Sequence, residues 1–223
     1  MKIFRILKKK DVGSIGIGAM IVFIAMVLVA GIAASVLIQT STTLETQALA
    51  TGRETTDEVA SGIAVFDVLG YAASSSEDIS KIAIGIRPRA GSDGIDLSQV
   101  YVELSDTTTK VVLNYTSSFY SKPAGQDDIF SASVFPVFGT AGNESSSHFG
   151  ILVMEDADGS LSSATPVINR GDKVYLCVNT TLTHAGISER TQVWGIVVPE
   201  LGAPGVIGFT TPASYTDNVI DLQ

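Results

Sequence analysis

The chain has 223 residues, a formal net charge of −9 at pH 7, and 45% hydrophobic side chains. That length allows one ordinary domain plus one additional element. The acidic balance argues against nucleic-acid binding, which requires a basic surface. The single cysteine excludes an intramolecular disulfide.

The first predicted element is a long apolar helix behind a basic leader. Five basic side chains precede residue 14, against one acid, Asp11. Residues 14–38 contain no ionisable side chain, and a helix of that length can cross a hydrocarbon core of about 30 Å. It exceeds the apolar region of about 7–15 residues in a conventional secretory signal. The basic excess would keep the N-terminus in the cytoplasm and place the rest of the chain outside.

Small residues run through this apolar segment, unlike in a simple lipid anchor. Ala30 with Ala34, and Gly31 with Ser35, repeat a small-xxx-small spacing that lets helices approach closely in lipid. We therefore predict that the segment contacts other helices. A single-pass anchor is the simpler alternative.

Residues 39–69 contain no proline, and their apolar side chains recur at mostly helical spacing. We expect the helix to continue to residue 69, with an amphipathic second half. A helix of about fifty residues is about 75 Å long, which is more than a globular domain needs. This length indicates assembly or a stalk next to the membrane.

Beyond Ala73 the pattern changes to short runs rich in Val, Ile, Tyr and Thr, separated by Gly, Asp, Ser and Pro. That spacing predicts an antiparallel β-sandwich or barrel. The predicted fold class is α+β, with a long N-terminal hydrophobic α-helix followed by an Ig-like antiparallel β-sandwich. The predicted boundaries are 1–13 for the leader, 14–69 for the helix and 70–223 for the β-domain.

The N-terminal sequence resembles that of a known family. The stretch GSIGIGAMIVFIAMVLVAGIAASVLI, residues 13–38, with its basic leader, resembles the class III, type IV pilin-like signal and helix of archaellins, the subunits of the archaeal flagellum (archaellum). The stretches DGSLSSATPVINRGDKVYL and GVIGFTTPASYTDNVIDLQ also resemble archaellin sequences. Bacterial pilins usually carry Glu at the fifth mature position, and Gly18 stands there in this chain.

The resemblance implies a structural role in motility. A prepilin peptidase would cleave after Gly13 and leave Ser14 as the mature N-terminus. The helix would hold the precursor in the cytoplasmic membrane, and assembly machinery would then pack it into the core of an extracellular homo-oligomeric filament. The β-domains would form the outer sheath. Two alternatives are an archaeal type IV adhesion pilin and a membrane-anchored surface enzyme or binding module.

Three N-x-S/T sequons, at Asn114, Asn143 and Asn179, are candidate glycosylation sites. A glycan would solvate an exported β-surface, and archaellins are commonly N-glycosylated. Without residues 1–13 the chain keeps nine basic and 22 acidic side chains, a net charge of −13. Such a charge keeps separate copies soluble.

The sequence offers little catalytic chemistry. His148, His184 and Cys177 are the nucleophile and base candidates, and no recognised hydrolase or nucleotide-binding motif accompanies them. We expect Cys177 to be a small hydrophobe in a strand. We predict that the protein is not an enzyme and needs no cofactor.

Asp156 and Asp158 begin a D-x-D-G pattern like that of a calcium loop. Loop position 12 is Val167, where such loops carry a bidentate Glu. A β-turn is therefore the main interpretation. A weak site for a cation with oxygen ligands is the alternative, and no other metal site is predicted.

Overall fold

The computed structural model describes residues 3–122, 128–130, 136–139 and 145–223, with side chains from residue 13 onward. The predicted glycosylation site Asn143 lies outside the described residues. The chain divides into two units, Met1–Glu54 and Thr55–Gln223. The described part of the first unit is helix, and the second unit is mainly β-structure.

Helix α1 covers Ile3–Ala60 without interruption. Its apolar first half contains no proline, and in its polar second half several threonine hydroxyls form hydrogen bonds with the helix backbone. The hydroxyls of Thr40, Thr42, Thr43 and Thr46 donate to backbone carbonyls three or four residues earlier, at 2.8–3.1 Å. These local hydrogen bonds let a threonine-rich stretch remain helical without water at each hydroxyl.

The predicted helix end at residue 69 was wrong. The helix ends at Ala60, and Ile63–Tyr71 is strand β1. The amide of Ile63 donates to the carbonyl of Ala203 at 3.0 Å. A Cβ on Gly62 would lie 2.6 Å from the same carbonyl oxygen, so the chain can turn here only with glycine. Contacts with the distant residue Ala203 therefore override the helical spacing of the apolar residues.

Among its described residues, the second unit has ten further strands and one short helix. These are β2 (Lys81–Pro88), β3 (Ile95–Asp96), β4 (Tyr101–Ser105), β5 (Lys110–Ser121), β6 (His148–Glu155), β7 (Val167–Ile168), β8 (Lys173–Asn179), α2 (Thr180–Thr183), β9 (Gln192–Val198), β10 (Gly205–Thr210) and β11 (Val219–Asp221). A 3₁₀ turn covers Pro136–Phe138. The main sheet has the order β10-β9-β4-β5-β6-β8-β2-β1-β11, and β3 pairs with β7 separately. The β5–β6 pair is parallel, and the other pairs are antiparallel.

The two edges of the main sheet meet through the C-terminal residue. The amide of Gly208 in β10 donates to Gln223 Oε1 at 2.8 Å, and the amide of Val68 in β1 donates to the Gln223 carbonyl at 3.1 Å. The sheet therefore curls on itself and encloses one large core, which includes Ile84, Phe149 and Leu176. The predicted order, a long apolar helix followed by a mostly antiparallel β-domain, is confirmed.

A second, smaller cluster covers the other face of the sheet. It contains Ala83, Phe130, Val137, Phe138, Leu152, Tyr175 and Cys177. Cys177 is 1% exposed, and its burial raises the pKa of its thiol. A buried, neutral thiol packs as a small hydrophobe, in agreement with the sequence prediction.

Candidate assembly surface and cation site

The largest exposed apolar surface of the described residues lies on α1. Its large apolar side chains between Ile15 and Ile38 are 52–72% exposed. Among the described residues, α1 is the one helix long and apolar enough to cross a membrane, and its most apolar window has a mean hydropathy of 3.0. Each such side chain gains about 1.5–3 kcal/mol when it is fully removed from water. Helix α1 therefore needs an apolar environment that its own unit does not provide.

The glycines of this surface are not required by contacts within the chain. A Cβ added to Gly16, Gly18 or Gly31 would meet nothing within 4 Å. None of the three has a positive φ angle, so the backbone does not require glycine there either. Glycine also weakens a helix by roughly 1 kcal/mol relative to alanine. Small residues at these positions therefore point to close neighbours outside the chain.

The predicted cleavage site lies within the helix. Gly13 and Ser14 are both exposed, and α1 runs through them from Ile3. A peptidase needs an extended substrate, so the helix would have to open locally at this bond. Glycine lowers the free energy of that opening because it is a poor helix former. Cleavage between Gly13 and Ser14 stays a prediction.

The predicted cation residues Asp156 and Asp158 lie in the turn after β6, and the structure adds Asp172 to them. One carboxylate oxygen from each of the three lies within 4.8 Å of the others. Asp172 comes just before β8, and the pairing of Glu155 with Lys173 brings the two chain segments together. The D-x-D-G pattern alone could not reveal Asp172, because its position depends on that strand pairing.

Hydrogen bonds hold the three carboxylates in place. The amide of Gly159 donates to Asp156 Oδ1 at 2.8 Å, that of Ser160 to Asp158 Oδ1 at 3.0 Å, and that of Asn169 to Asp172 Oδ2 at 2.9 Å. The Ser160 hydrogen bond, together with others, lowers the pKa of Asp158. Asp158 is therefore ionised at neutral pH.

Asp172 is the unusual member of this cluster. Asp172 is 1% exposed, and its Oδ1 atom has no hydrogen-bond partner among the described residues. A buried carboxylate oxygen without a partner is costly. Lys122 Nζ lies 2.9 Å from Asp156 Oδ2 and compensates part of the negative charge. Hard cations such as Ca²⁺ bind groups of oxygen ligands of this kind.

The remaining candidate residues lie apart from this cluster in the fold. Asn114 is exposed on β5, as a glycan acceptor must be. Asn179 is half-buried, and its Nδ2 donates to the Phe138 carbonyl at 3.3 Å. A glycan on Asn179 would therefore require a local rearrangement. Glycosylation at Asn114, Asn143 and Asn179 stays a prediction.

The structure gives the catalytic candidates separate environments. His148 Nδ1 lies 2.7 Å from Ser145 Oγ, and His184 Nδ1 lies 2.8 Å from Thr183 Oγ1. Burial lowers the pKa of His184, although Asp106 opposes the shift. Within the part of the chain that the structure describes, no hydrogen bond joins Cys177 to either histidine.

Comparisons with known proteins point to one family. The model of archaeal-type flagellins matches residues 13–209. Flagellin B2 of Methanocaldococcus jannaschii is 47% identical over 225 residues, which cover both chains completely. Flagellin B3 of Thermococcus kodakarensis is 41% identical and covers 98% of this chain and 100% of its own length.

Two solved structures are also similar. The crystal structure of archaeal flagellin FlaB1 from Methanocaldococcus jannaschii is 40% identical and matches with a TM-score of 0.65, over 74% of this chain and 98% of that chain. The archaeal flagellum of Methanospirillum hungatei matches with a TM-score of 0.61 at 15% identity, over 92% of this chain and 98% of that chain. The second likeness shows a shared fold.

Proposed function

This chain belongs to the archaeal-type flagellin family and is a structural subunit of the archaeal flagellum filament, and we propose that it polymerises through its exposed apolar helix. The observation that carries this proposal is the 52–72% exposure of the large apolar side chains between Ile15 and Ile38. The comparisons give the adhesion-pilin alternative no support.

The same helix surface would serve the subunit before and after assembly. Lipid and a bundle of identical helices both remove the apolar side chains from water, so moving between them changes the hydrophobic free energy little. Packing at the small residues, with work from an assembly machinery, would then decide the direction. The glycines at 16, 18 and 31 leave room for this close packing.

Processing by a prepilin peptidase would precede assembly. Cleavage after Gly13 removes five basic side chains and one acid. A filament core of apolar helices cannot hold those charges, because burying an unpaired charge is strongly unfavourable. The β-domain would remain outside the core as an extracellular sheath and carry any glycans.

Electron microscopy of filaments sheared from producing cells, with N-terminal sequencing of their main protein, tests this function. We expect filaments built from this chain, with Ser14 as the first residue. Deleting the chain should abolish swimming. Filaments that lack this chain, or a deletion that removes surface attachment but leaves swimming intact, would contradict the proposal.

We also propose a weak cation site at Asp156, Asp158 and Asp172, favoured by the unpartnered Asp172 Oδ1. A bound divalent cation would satisfy this oxygen and neutralise the cluster. Adding Ca²⁺ at a hundredfold excess over its dissociation constant should stabilise the domain by about 2.7 kcal/mol. Chelation should reverse the rise in melting temperature.

Asp158→Asn should weaken the calcium response, because this carboxylate is exposed and ionised. Asp217→Asn is the matched control, since Asp217 is exposed and lies outside the cluster. An equal response in the unaltered chain and Asp158→Asn would contradict the site.

A further inference from the structure

A basic groove lies on the strongly acidic outer domain. Its volume is about 850 Å³, and it is lined by Ala64, residues 87–93 and residues 170–173. Four of the nine basic residues that follow Gly13 line it: Arg87, Arg89, Arg170 and Lys173. Such a concentration of positive charge is unexpected on a mature chain with a net charge of −13.

The lining of the basic groove carries a net charge of +2, from four basic and two acidic residues. Lys173 pairs with Glu155 at 2.8 Å, and Arg89 donates through Nε to the Ile63 carbonyl at 3.3 Å. No ion pair of the three arginines occurs among the described residues. Two carboxylates also line the groove, but Asp172 is buried, which leaves Asp93 as the exposed one.

An acidic cleft lies on the same domain. It has a volume of about 470 Å³, and its lining residues are Ser75, Ser76, Glu77, Asp78, Ser188 and Glu189. All six are exposed. No ion pair of its three acids occurs within the part of the chain that the structure describes. The acidic cleft therefore carries a negative charge, opposite in sign to that of the basic groove.

The basic groove and the acidic cleft lie at opposite ends of two neighbouring strands, β2 and β8. Arg87 is at the end of β2, whereas Glu77 and Asp78 precede its start. Arg170 precedes β8, whereas Glu189 follows its end, and β2 and β8 are antiparallel neighbours. Eight residues of β2, at about 3.3 Å per residue, separate the two ends by about 23 Å. One copy cannot bring its groove and cleft together.

We propose that the basic groove of one subunit binds the acidic cleft of a second copy of this chain. The inference rests on the proposed function and adds a contact between outer domains to the packing of the helices. Opposite charges select this pairing, because like charges juxtaposed at an interface are strongly unfavourable. Two different surfaces at opposite ends make the contact heterologous, so it can repeat along a filament without closing into a dimer.

Charge reversal in cells that produce the full chain as their only flagellin tests this contact. Arg87→Glu/Arg170→Glu should lower the mass of filaments sheared per cell about tenfold, through repulsion between groove and cleft. Glu77→Arg/Glu189→Arg should lower it similarly. Combining all four substitutions restores opposite charges and should return the yield to within about twofold of the unaltered chain.

Two further variants keep the test decisive. Lys110→Gln removes one exposed charge at the hairpin between β4 and β5, outside both the groove and the cleft, and should leave the yield unchanged. Arg87→Gln/Arg170→Gln removes the charge without repulsion and should give an intermediate yield, even if the reversal variants fold poorly.

Normal yields from both reversal variants would overturn the proposed contact. A filament yield from the four-substitution variant as low as that from either pair would also overturn it, because the groove would then not bind the cleft. If filaments are lost in the charge variants alone, the proposed function stands. If the unaltered chain forms no filaments, both the proposed function and this contact are overturned.

Discussion

Helix α1 and the β-domain both contain many apolar residues, but α1 exposes them and the β-domain buries them. Residues such as Ile84, Phe149 and Leu176 are fully buried inside the curled sheet. Large apolar side chains of α1, such as Ile15 and Phe23, stay more than half exposed. The β-domain is therefore stabilised within one chain, whereas the helix needs an apolar environment from outside the chain. The comparison predicts that mutations in the two regions will separate folding from assembly.

The largest effect is expected at the leader, because its charges prevent α1 from entering an apolar core. Gly13→Val should yield a precursor that inserts into the membrane, retains residues 1–13 and forms no filaments. Valine obstructs the backbone that a peptidase must reach. Gly52→Val is a matched control in the same helix, outside the leader, and should be cleaved normally. Finding residues 1–13 attached to the subunits of isolated filaments would contradict this prediction.

A core substitution in the β-domain should lower the stability of that domain without affecting membrane insertion. Phe149→Ala should lower the free energy of unfolding by about 3–5 kcal/mol, because it leaves a cavity in the core. Denaturant unfolding of the full chain in detergent measures the loss. Membrane insertion of α1 should be unaffected.

Val206→Ala provides the control for this core substitution. Val206 is 64% exposed, and its truncation should change the free energy of unfolding by no more than about 0.5 kcal/mol. Equal losses from Phe149→Ala and Val206→Ala would show that the core of the β-domain lies elsewhere.

Gly31→Leu and Ala34→Leu test whether α1 packs closely against other helices at these positions. Each should leave membrane insertion and the melting of the β-domain intact and should reduce filament yield. Overpacking a tight helix interface costs about 1–3 kcal/mol per site. Ile32→Leu keeps the side-chain volume and should assemble almost normally. Normal filaments from both larger substitutions would count against close packing at these positions.

The smallest effect is expected from the pH dependence of the β-domain. Burial lowers the pKa of His184 below its ordinary value of 6.5, so the unfolded chain binds a proton more readily than the folded domain. This stabilising contribution is present above pH 6.5 and is lost as the pH falls through the lower folded-state pKa. Acidification from pH 7.5 should therefore lower the melting temperature.

His184→Gln should flatten that pH response above the range in which carboxylates titrate. His148→Gln is its control, because His148 lies on a different element, strand β6, where its Nδ1 contacts the hydroxyls of Ser145 and Ser147. A response that His184→Gln leaves unchanged would exclude this histidine as its source.

Several features could be predicted from the sequence because they depend on neighbouring residues. The uncharged run 14–38 predicts a helix long enough to span a membrane, and its small residues predict close partners. The alternation of β-branched runs with turn residues predicts the β-domain. The basic leader ending at Gly13 predicts a processing site. Each pattern is local, so it needs no knowledge of which distant residues meet.

The tertiary structure decided what depends on residues far apart in the chain. The helix ends at Ala60 because the backbone that follows forms hydrogen bonds with Ala203. The sequence near residue 60 does not indicate that Ala203 is the partner. Asp172 joins Asp156 and Asp158 only through the pairing of β6 with β8. Arg87 and Arg170 likewise form one groove because β2 and β8 are neighbours. Register between strands places these side chains together, and the sequence patterns that predict strands carry no information about register.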